Sequence, residues 1–340
     1  GALRWNAKVC AAPSRNATGH GKTMGRSPPP PTQTNNHENL LMSLYPSPET
    51  IETRVWTSLP DEFRIKSMAP DWAAANKPGH QLDSFLEGPS FDRQGNLWVT
   101  DIPYGRVFRI SPSREWQLVA HYEGWPNGLK IHRDGWICIT DYKHGLMRLD
   151  PDSGNVTPLL THRYSEHFRG CNDLIFDRNG NIYFTDQGQS GMHMPNGRVF
   201  RYAPGTERLD LLVDTGPSPN GLILNQAEDQ LLVAMTRGNS VWRLPLLADG
   251  GVTKVGVFVQ LSGGLSGPDG MALDSHDGMW VAHAGNGCVW GFSRLGEPLY
   301  RVRSTTGMTT TNVAFGGADN RTLFVTESDT GLILKAELPV

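Results

Sequence analysis

The sequence predicts an all-β fold: a six-bladed β-propeller with four-stranded blades, its ring closed by an N-terminal strand. Three observations predict it. First, a polar residue in a short turn, followed by a brief apolar run, recurs six times. These residues are Glu87, Asn127, Asn172, Asn220, Asp269 and Asn312, at separations of 40, 45, 48, 49 and 43 residues. Second, a longer signature follows the first three turns, in Phe91–Asp101, Ile131–Asp141 and Phe176–Asp186, each ending in Thr-Asp. Blurred copies end at Met235, His283 and Glu327. Third, short strand-like runs and Gly-containing turns fill the repeats, and helical periodicity is sparse. A period of 40–50 residues built from short strands marks one blade per repeat, because a blade cannot bury its own faces and must stack on its neighbours.

Taken in order, residues 1–41 stand apart. Ser27-Pro-Pro-Pro-Pro-Thr and Gln33-Thr-Asn-Asn-His have no hydrophobic period. They read as a disordered tail or a leader, with the propeller domain over 42–340. Ile51–Trp56 and Phe63–Ile65 alternate apolar and polar residues and are predicted as edge strands. The first full repeat supplies strands at Gly88–Asp92, Leu97–Thr100, Arg106–Ile110 and Trp116–Ala120. Its first turn, Asp92-Arg-Gln-Gly95, has counterparts at Arg133–Gly135, Asp177–Gly180 and Ser275–Gly278. Third strands recur at Gly145–Leu149, Gly197–Tyr202, Ser240–Leu244 and Cys288–Phe292. The last repeat offers only three strands, so a fourth is expected from the N-terminal segment, covering an otherwise open edge.

Composition excludes several functions. A net charge of −3 and a pI near 6.4 leave no footprint for nucleic acid. No apolar run reaches the roughly 18–20 residues that span a bilayer, so no membrane partner is expected. Four cysteines without CxxC spacing argue against a zinc site and against a disulfide framework. A reducing, cytoplasmic location is expected. The oligomeric state is left open.

The first strand of each propeller blade lines the central channel. The six turn residues begin those strands, so register alone places them in one ring at one end of the channel. Pro-Asn-Gly and Pro-Asp-Gly are also ordinary turn sequences. Glu87, however, is no turn former, and the ring combines two carboxylates with carboxamides. Oxygen-bearing side chains converging on one axis are costly if buried and unpaired. One divalent metal ion removes that cost. Calcium suits the donors, which are all oxygen, and magnesium or manganese are the alternatives.

Pocket walls are expected at the ends of the second strands, including Tyr104, Tyr142, Gln187, Arg237, His283 and Glu327. Asp101, Asp141 and Asp186 there read as caps of the following turn. His283 replaces that aspartate in the fifth repeat and is a candidate for proton transfer at the mouth. Tyr104, Trp125, Tyr142 and Phe168 form either an aromatic rim or inter-blade packing.

The chain resembles the SMP-30/gluconolactonase/luciferin-regenerating-enzyme-like family over residues 80–338. The motifs that carry the resemblance are Leu86-Glu-Gly-Pro89, Arg169-Gly-Cys-Asn-Asp173, Pro219-Asn-Gly-Leu222, Pro268-Asp-Gly-Met271 and Thr311-Asn-Val-Ala-Phe-Gly-Gly317. The resemblance implies a channel metal held by Glu87, Asn172, Asn220 and Asp269, with zinc added to the possible ions. It implies hydrolysis of a small-molecule lactone or ester, with Asp269 acting as general base or as nucleophile. Asp173 matches the family's Asn-Asp pair, and Asn127 and Asn312 complete the ring as further substrate- or water-binding candidates. Sugar-lactone members carry an arginine where this chain has Gly170, which points to a less polar lactone. Two other readings are a non-catalytic binding propeller with a structural calcium and a phosphotriesterase-like hydrolase.

Overall fold

A computed structural model describes residues 45–66, 70–317 and 320–339. The expected tail, residues 1–41, lies outside the described residues. Six sheets follow one another along the chain in the predicted order. Their first strands are Leu86–Phe91, Pro126–Ile131, Cys171–Phe176, Pro219–Leu224, Gly267–Leu273 and Thr310–Gly316. Each first strand packs against the first strand of the next blade, and Thr310–Gly316 returns to Leu86–Phe91, closing the ring.

The second strands explain the Thr-Asp signature. Leu97–Asp101, Ile137–Asp141 and Ile182–Asp186 are buried at every position. Both faces of a blade pack on a neighbour, so these strands read as continuous apolar runs rather than alternating ones. The outer strand of the first blade, Trp116–His121, faces water and is largely exposed. The core therefore divides into slices between blades. Trp98 and Val107 of the first blade meet Leu129 and Ile139 of the second, and Val313 and Leu323 of the sixth meet Trp280 and Val289 of the fifth.

In the first, third and fifth blades the turn after the first strand is built by its aspartate. Asp92 Oδ1 accepts from the Gln94 and Asn96 amides at 2.9 Å, and Asp92 Oδ2 accepts from Trp98 Nε1 at 2.9 Å. Asp274 repeats the pattern with His276, Gly278 and Trp280. Such side-chain to backbone bonds satisfy donors that the turn leaves free.

Ring closure follows the expectation and adds to it. Arg54–Ser58 pairs antiparallel with Leu332–Glu337 and completes the sixth blade. Glu49–Glu52 pairs parallel with Pro298–Arg303 and gives the fifth blade an additional strand. The strand predicted at Phe63–Ile65 does not form. Asp61–Phe63 is a single 3-10 turn after Pro60, and Phe63 packs its ring on Phe108 at 5.1 Å while its carbonyl accepts from Arg106. Its apolar residues alternate because they cover the blade edge, not because the backbone pairs. A short helix, Pro70–Asn76, was not anticipated.

Candidate active site

The first pair of strands in every blade breaks register at the ring residue. The shifts fall between Glu87 and Ser90, Pro126 and Leu129, Cys171 and Leu174, Pro219 and Leu222, Pro268 and Met271, and Thr310 and Asn312. A bulge of this kind re-aims one side chain while the strand continues. Here it turns six polar side chains inward at one end of the channel. The residue after the ring position is glycine in four blades because the next blade presses against it. A Cβ at Gly270 would lie 2.0 Å from the Asn312 side chain, inside any contact distance.

The second strand of one blade then grips the ring segment of the next. Thr100 Oγ1 donates to the Asn127 carbonyl at 2.6 Å, Thr140 Oγ1 to the Asn172 carbonyl at 2.5 Å, and Thr185 Oγ1 to the Asn220 carbonyl at 2.8 Å. Thr236 Oγ1 reaches the Pro268 carbonyl at 2.8 Å, and Ser328 Oγ reaches the Leu86 carbonyl at 2.6 Å. All of these hydroxyls are buried, so each bond fixes the backbone from which a ring side chain projects.

The aspartates of the Thr-Asp ends act differently from the expectation. Asp141 does cap its own turn, accepting from the Lys143 and His144 amides. Asp101 and Asp186 instead reach back to the loop before their own first strand. Asp101 accepts from the Phe85 amide at 2.7 Å, and Asp186 accepts from the Arg169 and Gly170 amides at 2.7 and 2.8 Å. Arg106 and Arg198 pair with them. Each arginine faces its aspartate across the ladder to the third strand and offsets the cost of burying the charge, whereas the equally buried Asp141 takes the Tyr122 hydroxyl at 2.8 Å.

A cavity of about 590 Å³ opens above the ring, lined by Glu87, Asn127, Asn172, Asn220 and Asp269. Asn312 lies below, donating from Nδ2 to Glu87 Oε2 at 2.9 Å, while its Oδ1 accepts from the Val313 amide at 2.8 Å. Asp173 is buried beneath the floor, hydrogen-bonded to Asn312 and the Leu174 amide. The carboxamides are oriented. Asn172 Nδ2 donates to Gln187 Oε1 at 3.1 Å, and Asn220 Nδ2 donates to Thr236 Oγ1 at 3.2 Å. With the nitrogens engaged there, the side-chain oxygens of Asn172 and Asn220 stay available to the cavity.

The floor concentrates carboxyl groups whose burial favours the protonated form. Burial pushes the Glu87 carboxyl up to about 7, against hydrogen bonds from Asn312 and Gly88. Burial, then the charges of Glu87 and Asp173, hold Asp269 well above the usual carboxylate range. Burial also raises Asp173. Neither Glu87 nor Asp269 forms an ion pair with a lysine or arginine of the chain among the described residues. No three His, Cys, Asp or Glu side chains gather as a metal cluster among the described residues; the ring mixes carboxylates with carboxamides instead.

Of the expected wall residues, Tyr142 lines the cavity and Tyr104 and His283 do not. The Tyr104 hydroxyl turns away to the Ile65 carbonyl at 3.2 Å. His283 is fully buried, with Trp290 Nε1 donating to its Nδ1 at 3.1 Å. Burial lowers its imidazole pKa, and its ring serves blade packing. Trp125 and Phe168 also lie off the cavity. Trp125 packs on the Trp72 cluster, and Phe168 packs edge-on against Phe184 and Phe200.

The cavity also has walls that repeat logic missed. Trp72, Asn76 and Lys77 come from the helix and its end, and Gln189, Ser190, Met192 and His193 from the loop after the third blade's second strand. Pro70 followed by Trp72-Ala-Ala-Ala is a helix start with strong helix formers, which is the signal that marks this wall. Gly170 sits at φ +151°, and a Cβ there would lie 2.5 Å from the Tyr142 ring. The ring of Tyr142 occupies the space that a side chain at position 170 would need. Its hydroxyl is held by the Gly188 carbonyl and by Gln189 Nε2.

Among known proteins, the chain is 31% identical over 249 residues to the lactonase drp35 of Staphylococcus aureus, covering 69% of this chain and 73% of that protein. It is 29% identical over 243 residues to the lactonase drp35 of Staphylococcus saprophyticus, with the same coverage. Among solved structures, a gluconolactonase from Xanthomonas campestris superposes with a TM-score of 0.66 at 21% identity, over 84% of this chain and 99% of that one. A calcium-binding regucalcin from Agrobacterium tumefaciens superposes with a TM-score of 0.68 at 20% identity, over 85% and 95%. These structures share the fold. Residues 85–329 match the SMP-30/Gluconolactonase/LRE-like region, and the chain belongs to that family.

Proposed function

We propose that the protein is a metal-dependent lactonase, with Glu87, Asn172, Asn220 and Asp269 holding one divalent cation, calcium by preference. The carrying observation is the pair of raised carboxyls, Glu87 and Asp269, at the cavity floor beside carboxamide oxygens and in no ion pair with a lysine or arginine among the described residues. Two carboxylates balance a divalent charge, and neutral amide oxygens complete the oxygen donors that calcium takes. Magnesium, manganese or zinc would meet the same donors. When bound, the cation supplies Lewis-acid polarisation of an ester carbonyl.

Asp269 is the base. It faces the cavity, and a cation beside it would keep its carboxylate ionised and able to accept a proton from water as the water oxygen bonds to the acyl carbon. The ring C–O bond of the lactone then breaks, and the proton passes from Asp269 to the departing alkoxide. Glu87, held by Asn312 and the Gly88 amide, stays fixed through the turnover. Direct attack by Asp269 would instead leave a mixed anhydride, and water opening it at the aspartyl carbonyl would carry 18O from labelled water into the Asp269 carboxylate in a single turnover.

One stretch of the wall is apolar and supports a lactone ring without the hydroxyls of a sugar. Tyr142 closes the space beside Gly170, and Trp72, Phe85 and Ile102 add apolar surface. The lactonase relatives support the reaction class. The test is hydrolysis of a panel of neutral lactones by the full chain, with calcium, with chelator and after Asp269→Asn. Loss of a general base lowers the rate by roughly 10²–10⁴-fold, so turnover should fall at least 100-fold in the variant while its circular dichroism is unchanged. Near-normal turnover in Asp269→Asn removes that residue from the chemistry. Calcium binding without any lactone turnover would favour a structural ion in a binding propeller.

A further inference from the structure

The cavity wall carries a cation that the reaction described above does not use. Arg237 lines the cavity and is exposed; its charge acts through space on Asp269, but its side chain makes no ion pair or hydrogen bond among the described residues. Lys77, the other lysine or arginine on the wall, is committed elsewhere, with Nζ 3.0 Å from Asp329 Oδ1 and 3.4 Å from Thr309 Oγ1.

The backbone beneath Arg237 is rigid. It sits in the 3-10 turn Thr236–Gly238, where Thr236 N donates to the Ser218 carbonyl at 2.9 Å and Arg237 N to the Pro217 carbonyl at 3.2 Å. The stem of Arg237 runs beside Gly191, with Cγ 3.9 Å from the place of a Cβ there. A pinned backbone presents the guanidinium at lower entropic cost than a free loop would.

Charge balance then favours an anion. Glu87 and Asp269 are the carboxylates on the lining. A divalent cation held between them cancels their charge, and Asp173 below the floor faces Lys130. Arg237 is left as a net positive charge on the wall. A guanidinium reads a carboxylate with two parallel hydrogen bonds, which fixes orientation as well as charge.

We infer that Arg237 is a specificity-determining residue and that the preferred substrates are lactones carrying a carboxylate substituent. This inference rests on the lactonase reading, and the experiment separates the two. The probes are γ-butyrolactone and the same ring bearing a carboxylate at the γ carbon, measured on the calcium-loaded full chain, Arg237→Gln and Arg237→Lys. The wild type should prefer the carboxylate form at least 10-fold in kcat/KM, and Arg237→Gln should lose that preference through KM rather than kcat. Arg237→Lys should retain part of it, because the charge remains without the fork. The preference should also shrink as ionic strength rises, since Arg237 is exposed.

No preference in the wild type, or an undiminished preference in Arg237→Gln, overturns the inference while leaving the lactonase reading intact. Calorimetric binding of the carboxylate probe is read in parallel. Probe binding that is lost in Arg237→Gln, with no turnover of either lactone by any form, overturns the lactonase reading and upholds the anion subsite. Equal binding to wild type and Arg237→Gln overturns the subsite whatever the turnover.

Discussion

Glu87 shows how one side chain can oppose the fold that positions it. Its carboxyl, pushed up to about 7 by burial, binds protons in the folded chain that it releases in the unfolded one. A folded pKa above the unfolded value makes a contribution to stability that is complete below about pH 4.5 and lost as pH rises through about 7. Without metal, the melting temperature should therefore fall between about pH 5 and pH 8. Glu87→Gln keeps the side-chain shape and removes the charge. In chelator at about pH 8 it should melt several degrees above wild type, yet calcium should no longer raise its melting temperature as it does for wild type. Thermal scans at two pH values, with and without calcium, read both signs. A Glu87→Gln chain that melts below wild type in chelator would show that the carboxylate is not strained. The residue was legible in the sequence because it broke a turn preference within a sixfold repeat. Gln187 was legible only as a wall position, because what it does, turning the Asn172 amide, depends on side-chain geometry that no repeat encodes. His283 misled for a related reason: register placed it at a strand end near the mouth, but its ring turned to Trp290.

The second strand of each blade joins structure to site. In the first three blades its threonine holds the neighbouring ring segment, and its aspartate fastens a loop. The Thr-Asp pairs in the sequence announced the strand ends, but a capping aspartate and one that reaches back across the blade have the same local sequence. Only the arginines at 106 and 198, which face across the ladder the two aspartates that reach back, differ from Gly145, which faces Asp141. Thr185 tests the grip. Its hydroxyl donates to the Asn220 carbonyl at 2.8 Å and accepts from the Asp173 amide at 3.1 Å. Thr185→Val keeps the volume and leaves two buried backbone groups without that partner, at a cost of about 1–3 kcal/mol for each unsatisfied group. Urea unfolding should show the loss, and calorimetry should show weaker calcium binding, because Asn220 and Asp173 flank the floor from this one hydroxyl. Wild-type calcium affinity in a destabilised Thr185→Val chain would confine the threonine to a structural part.

Closure of the ring governs the whole molecule. The sixth blade draws its outer strand from Arg54–Ser58 and the other three from the far end of the chain. Trp56 is the centre of that junction, edge-on to Phe324 at 5.1 Å and clustered with Leu59, Phe108 and Ile333. The sixth blade also completes the site, through Asn312 on Glu87 and Ser328 on the Leu86 carbonyl. Deleting a large buried aromatic costs about 3–5 kcal/mol, so Trp56→Ala should lower urea stability by that amount. Because the junction joins the blade that carries Asn312 to the blade that carries Glu87, the same variant should bind calcium more weakly than an equally destabilising change at an interface away from the ring ends. Leu224→Ala, in the cluster between the third and fourth blades, is that control. If both variants lose the same stability and the same affinity, closure stabilises the ring without shaping the floor. If only Trp56→Ala loses affinity, the N-terminal strand acts on the site through the sixth blade, and the chain ends are tied together where the carboxylates must be held.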